Sequence, residues 1–272
     1  IMAVKLIVTD LDGTLMSPDH QTVSERTKNA LKTAHDNGVK IAIATGRTLT
    51  FTDNVTSQVP FVDYVIYSNG AAVFDRNARK NIYKNCISAE HTEEILTLLD
   101  GFPIYYNLYV DGKIFLQNDK TGYYVNHGLP QDFLNEFTRL SVVSDKLTSD
   151  LKGECAEIIA LYSVSDEHRS KLIPEFEKRQ LYITSSLPDE IEITAPNVNK
   201  GTALDGFCRK IGVDKSNVMA FGDAMNDYEM LKFAKYSFAM GNAIDEIKNV
   251  ANYQADSNAN DGLARAVEEY VN

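Results

Sequence analysis

The sequence predicts an α/β fold, in which a doubly wound, Rossmann-like core with a parallel sheet is interrupted by an inserted α/β cap domain. Short apolar runs alternate with helical stretches at the start of the 272-residue chain, as is typical of a parallel sheet covered by helices. The same pattern resumes near Asn199. Between these stretches the pattern changes to hairpins. We therefore expect the core over 1–84 and 190–272 and the insert over 85–189, a usual length for a domain.

The core elements follow from local periodicity. Residues 4–9 (VKLIVT) are apolar and β-branched, which predicts a buried strand. A helix is expected over 24–37, where Ala30, Leu31 and Ala34 recur at helical spacing before a glycine cap. The other core elements that we predict are strands at 39–44, 63–67 and 218–221, a hairpin of 71–74 with 81–84, and helices at 202–211, 226–234 and 261–271.

The insert mixes helices with short strands that are joined by turns, which predicts an antiparallel sheet. Tyr105, Tyr106 and Tyr109 lie on one of these strands, where cross-strand packing is the expected role and stacking on a sugar is the alternative. The predicted elements are helices at 88–100 and 166–179, a hairpin around Asp111-Gly112, and strands at 156–163, 181–185 and 190–194.

Charge and composition exclude several classes of protein. The formal net charge of −11 argues against a nucleic-acid-binding protein, which needs a basic face to neutralise phosphates. No apolar run approaches the roughly 20 residues of a membrane span. The three cysteines are odd in number and form no zinc pattern, which indicates free thiols in a reducing compartment, so we expect a cytoplasmic protein. The oligomeric state stays open between monomer and homodimer.

Polar clusters follow the predicted core strands. Asp10 and Asp12 come after the first strand, Thr45 after the second, and Asp223 after the strand at 218–221, while Lys200 opens the preceding helix. In open parallel sheets ligands bind beyond the carboxyl ends of the strands. We therefore expect these side chains to meet at one edge of the sheet.

The three acidic residues predict a magnesium site. A single Asp after a strand most often caps a helix or turn. Asp10 and Asp12, however, are two carboxylates placed two residues apart, and such crowding is costly without a cation. Asp223 supplies a third oxygen ligand, and Mg²⁺ prefers oxygen ligands together with several waters.

The motifs together resemble those of the haloacid-dehalogenase superfamily. DLDGT at 10–14, Thr-Gly-Arg at 45–47, the lone Lys200 and GDAMND at 222–227 occur in that family's order. The large insertion, Ser-Asn-Gly-Ala at 68–71 and Asn-Lys-Gly at 199–201 resemble its Cof-type sugar-phosphatase branch. The resemblance covers the core, and the insert carries no motif of its own.

The resemblance implies a phosphatase in which Asp10 attacks phosphorus and forms a phospho-aspartyl intermediate. Asp12 would protonate the leaving alcohol and later deprotonate the attacking water. Lys200 would pair with the phosphate and with Asp10, and Thr45 would complete the catalytic set.

The family pattern also implies how the phosphate and the metal are held. The Thr45 hydroxyl and the Gly46 N–H would bind phosphate at a helix start, and the Leu11 N–H would act similarly. Arg47 would contact the phosphate or another substrate oxygen. Lys200 and Asn226 would also contact the phosphate. Mg²⁺ would be held by the carboxylates of Asp10 and Asp223 and by the backbone carbonyl of Asp12. Asp227 would orient Lys200 or the metal shell.

The function expected from this resemblance is hydrolysis of a small phosphorylated metabolite. Sugar phosphates are the leading substrates, with flavin and pyridoxal phosphates as further candidates, and the insert would act as a lid that chooses the leaving group. One alternative is a phosphomutase of the same superfamily, which would require a bisphosphate activator. The other is a catalytically idle, metabolite-binding regulator. That alternative predicts loss of at least one position of the catalytic and metal set, whereas all five positions stand intact: Asp10, Asp12, Thr45, Lys200 and Asp223.

Overall fold

The computed structural model describes residues 3–117, 131–185 and 189–271, and the chain divides into two compact units. The first unit comprises residues 1–84 and 199–272, and the second comprises residues 85–198. The sequence pattern predicted a return to the core at residue 190. The strand Ile191–Thr194 instead pairs within the sheet of the second unit, which moves this boundary to between Val198 and Asn199.

An eight-stranded sheet forms the centre of the first unit. Its strand order is β14-β13-β12-β1-β2-β3-β4-β5, and all neighbours pair in parallel except β3 with β4 and β4 with β5. The strands are β1 (Leu6–Thr9), β2 (Lys40–Ala44), β3 (Tyr64–Tyr67), β4 (Ala72–Asp75), β5 (Lys80–Lys84), β12 (Val218–Gly222), β13 (Tyr236–Ala239) and β14 (Tyr253–Gln254). The expected parallel core is thus extended at one edge by the predicted hairpin.

Helices cover both faces of this sheet, as the doubly wound pattern predicts. Leu31 belongs to the core on one face, together with Val267, and Phe207 belongs to the core on the other. The burial of these apolar faces supplies the main stabilisation of such layers. The helices and helical turns are Glu25–Asp36, Leu49–Thr52, Asp53–Thr56, Ser68–Gly70, Lys200–Ile211, Lys215–Asn217, Met225–Asp227, Tyr228–Phe233, Asp245–Val250, Asn258–Asn260 and Gly262–Tyr270.

The second unit has a six-stranded sheet of its own, with strand order β10-β11-β9-β6-β7-β8. Its pairs are antiparallel, as predicted, except for β7 with β8. The strands are β6 (Tyr105–Val110), β7 (Lys113–Gln117), β8 (Val142–Ser144), β9 (Ile158–Tyr162), β10 (Tyr182–Thr184) and β11 (Ile191–Thr194). The helices are Ala89–Leu99, Gln131–Leu140, Leu147–Asp150 and Asp166–Lys178.

The tyrosines of β6 take part in packing between strands. The rings of Tyr105 and Tyr162, which are register partners on β6 and β9, stack with their centroids 5.4 Å apart. Burial raises the pKa of Tyr109 well above its ordinary value. These contacts agree with the cross-strand role expected from the sequence.

Two further expectations concern membrane spans and the cysteines. Among the described residues, no helix is both long and apolar enough to cross a membrane. The structure places no disulfide bond between Cys86, Cys155 and Cys208.

Candidate active site

The site lies where the strand order of the first sheet reverses. β1 and β12 are adjacent, with Thr9 opposite Phe221, so the residues that follow them emerge side by side. The N–H of Asp10 donates to the carbonyl of Phe221 over 3.0 Å, which fixes the backbone of Asp10 at this edge. Ligands of open α/β sheets bind at such a reversal.

A single wide turn, Leu11–Leu15, carries the chain away from β1. The N–H of Leu15 donates to the carbonyl of Asp10 (3.2 Å), and the N–H of Met16 donates to that of Leu11 (3.0 Å). Bonds that span five residues form a wider loop than an α-helical turn, and such turns occur frequently at functional sites. Gly13, at a φ of +84°, supplies the left-handed backbone that the turn needs.

Lys200 lies fully buried between two carboxylates. Its Nζ donates to Oδ1 of Asp10 (2.5 Å) and to Oδ1 of Asp227 (2.6 Å). Asn199 caps the helix that Lys200 opens, because its side chain accepts from the N–H of Thr202. A lysine at a helix start is unfavourable to the helix dipole, and the two carboxylates compensate for it.

Burial and ion pairing have opposite effects on the pKa values of Asp10 and Lys200. Burial raises the pKa of Asp10 to about 8, although the Lys200 ammonium acts in the opposite direction. Burial also acts to lower the pKa of Lys200, but the carboxylates of Asp10 and Asp227 outweigh it and raise that pKa above its ordinary value. Lys200 is therefore a fixed positive charge beside Asp10.

Asp227 is held by the backbone as well as by Lys200. Its Oδ2 accepts from the N–H groups of Asp223 (2.9 Å) and Ala224 (3.1 Å). Gly222 makes room for it, since a Cβ there would lie 2.5 Å from the Cβ of Asp227. These contacts occupy both carboxylate oxygens of Asp227.

Three carboxylates come close enough together to hold a metal ion. One oxygen from each of Asp10, Asp223 and Asp227 lies within 4.8 Å of the others. Thr14 donates from its hydroxyl to Oδ1 of Asp223 over 2.7 Å, and burial raises the pKa of Asp223. Hard oxygen donors of this kind suit Mg²⁺, whose charge would favour the ionised carboxylates.

Asp12 points its carboxylate at Arg47. Arg47 donates from Nη2 to Oδ1 (2.6 Å) and from Nε to Oδ2 (3.0 Å), which is a bidentate pair. Burial alone would raise the pKa of Asp12, but the hydrogen bonds and charge of Arg47, with a smaller contribution from His20, hold it below its ordinary value. The partner expected for Arg47 was a phosphate or substrate oxygen, and here its partner is Asp12.

Thr45 is followed by a bend at Gly46 and Arg47 rather than by the expected helix start, since the next helical turn begins at Leu49. The Thr45 hydroxyl accepts from the N–H of Arg47 over 3.1 Å. A Cβ at Gly46 would lie 3.0 Å from Oδ1 of Asn69, so the bend is closed against that side chain.

A cavity of about 380 Å³ opens above these groups. Most of the predicted site residues line it, whereas Lys200 is buried beneath it. The lining residues are Asp10, Asp12, Thr45, Gly46, Arg47, Ala224 and Asn226. The structure thus brings the four motifs to one edge of the sheet, as the strand pattern predicts.

Several contacts escaped the sequence-based prediction. Asn226 donates to Oδ1 of Asn69 over 3.2 Å, Asn242 donates to the Gly13 carbonyl over 2.8 Å, and Thr14 holds Asp223. Thr14 and Asn69 stand inside quoted motifs, which was a usable signal. Asn242 lies in no motif and becomes visible only once the chain is folded.

Gly13→Ala should lower activity at least about 100-fold, because small displacements of reacting groups have effects of this size. The Cβ would lie 2.3 Å from Oδ2 of Asp223, so this carboxylate must move. The left-handed backbone at Gly13 should also cost about 1–2 kcal/mol of stability. Substrate turnover and thermal unfolding measure the two effects.

Gly38→Ala is the matched control for this prediction. Gly38 has a φ of +91°, but nothing lies within 4 Å of the position that a Cβ would occupy there. This variant should lose a similar amount of stability and keep its activity. Equal activity losses in both variants would contradict the role given to the Gly13–Asp223 approach.

Comparison with known proteins places these features in a family context. The family model for haloacid dehalogenase-like hydrolases matches residues 7–267. The 5-amino-6-(5-phospho-D-ribitylamino)uracil phosphatase YcsE of Bacillus subtilis is 31% identical over 269 residues, which cover 98% of this chain and 96% of that protein. The HMP-PP phosphatase of Cronobacter sakazakii is 29% identical over 88% of this chain and 84% of its own length.

A solved structure shares the fold. TM0651 from Thermotoga maritima aligns with a TM-score of 0.82 over 99% of this chain and 98% of its own, at 22% identity. The similarity spans both units of the chain.

Proposed function

The chain belongs to the haloacid dehalogenase-like hydrolase family, and we propose that it is a Mg²⁺-dependent phosphatase that acts through a phospho-aspartyl intermediate on Asp10. Its substrates are small phosphorylated metabolites, the class on which the named relatives act, and we propose sugar phosphates as the first to test. One observation carries this proposal: the buried Lys200 ammonium lies 2.5 Å from the carboxylate of Asp10, which lines a cavity together with Asp12.

Asp10 is the proposed nucleophile. Lys200 contacts its Oδ1, and among the described residues no donor contacts Oδ2, which is therefore the oxygen available to phosphorus. As Oδ2 bonds to phosphorus, the bond from phosphorus to the leaving oxygen breaks. The fixed charge of Lys200 stabilises the negative charge that spreads over the phosphoryl oxygens.

Asp12 is the proposed acid and base. It lines the same cavity as Asp10 and would give its proton to the leaving oxygen, then take one from the water that hydrolyses the aspartyl phosphate. The Arg47 pair favours the ionised carboxylate, which is the form required of the base. Protonation for the first step must therefore oppose that pair.

Asp10 and Asp223 are the carboxylates proposed to hold Mg²⁺, with the backbone carbonyl of Asp12 as the third protein ligand. Asp227 is also near, but its oxygens are taken by Lys200 and two backbone N–H groups, so we assign it to the orientation of Lys200. When bound, the ion supplies positive charge opposite the phosphate. This local charge offsets the formal net charge of −11, which would otherwise repel an anionic substrate.

Thr45, Gly46, the Leu11 N–H and Asn226 are the proposed phosphate contacts. All but Leu11 line the cavity. Arg47 is oriented by Asp12 and could contact a phosphate oxygen only if it shares its donors between the two anions.

Removal of divalent metal should abolish phosphate release, and added Mg²⁺ should restore it. We expect a loss of at least about 100-fold in EDTA, because the ion neutralises charge on the transferred group. The assay measures phosphate released from glucose 6-phosphate, ribose 5-phosphate, FMN and pyridoxal 5′-phosphate. Mg²⁺ should also raise the unfolding temperature of the wild type, and Asp223→Asn should remove this shift.

The outcomes separate the alternatives. Metal-independent release would contradict the magnesium assignment. If no compound releases phosphate but a sugar phosphate isomerises with a bisphosphate activator, the protein is a mutase. Binding of the metabolites without either reaction would support the regulatory alternative.

A further inference from the structure

We propose that His20 is a positioning residue for Asp12, which holds the carboxylate in the orientation needed to protonate the leaving group. This inference rests on the proposed function, because it assigns the residue that supports the acid of that reaction. His20 lies outside all four motifs. Its Nδ1 lies 3.3 Å from Oδ1 of Asp12.

The loop that carries His20 is braced at several points. The Asp19 carboxylate accepts from the N–H groups of Gln21 and Thr22, each over 2.9 Å, and from the Thr22 hydroxyl over 2.6 Å. The N–H of His20 donates to the Ser17 carbonyl over 2.9 Å. An aspartate that gathers adjacent backbone N–H groups fixes a turn, so His20 is presented from a stable support.

A second segment of the first unit holds the same loop in place. Gln58 accepts from the N–H of Val23 over 2.9 Å and donates to the Gln21 carbonyl over 2.8 Å. These bonds act on the backbone on the C-terminal side of His20. The backbone position from which the imidazole extends is therefore set by the fold and not by the Asp12 contact alone.

The imidazole of His20 is not held by packing in a core. Its side chain is 61% exposed, so burial of the ring does not explain its position. Its backbone is left-handed, with a φ of 55°, a conformation that asparagine and histidine adopt more often than most other non-glycine residues. An ionised Asp12 can only accept hydrogen bonds, so Nδ1 of His20 is the donor in this contact.

The three donors around Asp12 leave one direction open. Oδ1 receives Nη2 of Arg47 and Nδ1 of His20, whereas Oδ2 receives only Nε of Arg47 among the described residues. A carboxylate has about four acceptor positions in total. Oδ1 is thus saturated, and the free position on Oδ2 is the one that would hold the proton once Asp12 is protonated for transfer.

This arrangement determines the path of the proton. As the bond between Asp10 and phosphorus forms, the electron pair of the breaking bond stays on the leaving oxygen, which takes the proton from Oδ2 of Asp12. Arg47 contacts both oxygens of the Asp12 carboxylate, and His20 adds a contact to Oδ1 from a separate loop. Loss of His20 should therefore impair leaving-group protonation and spare the steps that do not need it.

The test compares leaving groups in His20→Ala. A nitrophenolate departs readily without a proton, whereas a sugar alkoxide does not. We measure kcat/KM, which reports steps only up to departure of the leaving group, for p-nitrophenyl phosphate and for the sugar phosphate that the wild type hydrolyses fastest. We expect a loss of about ten-fold for the sugar phosphate, a part of the 10²–10⁴-fold that a positioned acid supplies, and a change below about two-fold for p-nitrophenyl phosphate.

Two further variants test whether the effect depends on the position of the donor nitrogen. Asn places an amide nitrogen near the position of Nδ1 and tolerates the left-handed backbone, so His20→Asn should restore most of the sugar-phosphate rate. Gln places its nitrogen further out, and His20→Gln should behave like His20→Ala. Gln21→Ala, an exposed neighbour whose loop contacts are made by its backbone, should match the wild type.

Each outcome decides the question. Selective loss for the sugar phosphate with rescue by Asn supports the positioning role. Equal loss on both substrates would show that His20 only maintains the loop, and unchanged rates would show that the contact has no effect, so either result overturns the inference while the phosphatase activity stands. A wild type that releases no phosphate from either compound overturns the proposed function and this inference with it.

Discussion

Asp10→Asn should reduce phosphate release by about 10⁴-fold or more, the size of loss seen when a nucleophile is removed from a covalent mechanism. The amide retains the shape of the side chain, but its nitrogen has no electron pair for attack and its oxygen carries no charge. The loss should be equal for all substrates, since in the proposed mechanism every one passes through the same aspartyl phosphate. Phosphate release with Mg²⁺ measures this effect.

The fold of this variant should survive. The carbonyl of the amide can still accept from Lys200, and Lys200 keeps Asp227 as its charged partner. Asp10 is buried, and asparagine matches its size and keeps an acceptor oxygen at this position. The unfolding temperature should stay within about 4 °C of the wild type. A variant with normal rates would rule out Asp10 as the nucleophile.

Lys200→Met should remove both activity and stability. The methionine fills the space of the lysine stem, but Asp10 and Asp227 are left without the buried ammonium that pairs with them. Breaking a buried pair in this way typically costs about 3–5 kcal/mol. We expect an activity loss of at least about 10³-fold, because the charge stabilisation at the transferred group is lost as well. Thermal unfolding without metal and phosphate release measure the two losses.

A double variant separates these effects. Lys200→Met with Asp227→Asn removes one of the two uncompensated charges, and the amide oxygen can still accept from the N–H groups of Asp223 and Ala224. Stability should recover in part while activity stays lost. If activity returned together with stability, Lys200 would have only a structural role.

The sequence was most informative where one short segment determines both structure and chemistry. The strand before Asp10 and the strand before Asp223 are apolar runs that end in carboxylates, and parallel pairing alone brings them together. Lys200 was identified from its place in the ordered set of motifs that resembles the family, and the unfavourable position of a lysine at a helix start supported this. The proximity of these side chains at one edge of the sheet was predictable for these reasons.

Other features depend on tertiary pairing that no local pattern encodes. The short strands β13 and β14 were not predicted, because their few residues give too little periodicity to distinguish them from a loop. The segment Ile191–Thr194 reads as a strand, but its sheet is determined by its partner β9, and the boundary at residue 190 therefore differs from the one observed. The contacts of Asp12 with Arg47 and His20 depend equally on where separate loops meet.

The insertion point in the core has a consequence for folding kinetics. Lys84, where the chain leaves the core, pairs with Ala72, and the returning Asn199 lies against Gly70, whose Cβ would come within 2.3 Å of the Asn199 carbonyl. The two junctions thus adjoin one short segment. An unfolded insert would have to close a long loop before Lys200 could dock, and the entropy cost of closure rises with loop length. Early folding of residues 85–198 would shorten that effective loop, so destabilising the insert should slow the docking of Lys200 between Asp10 and Asp227.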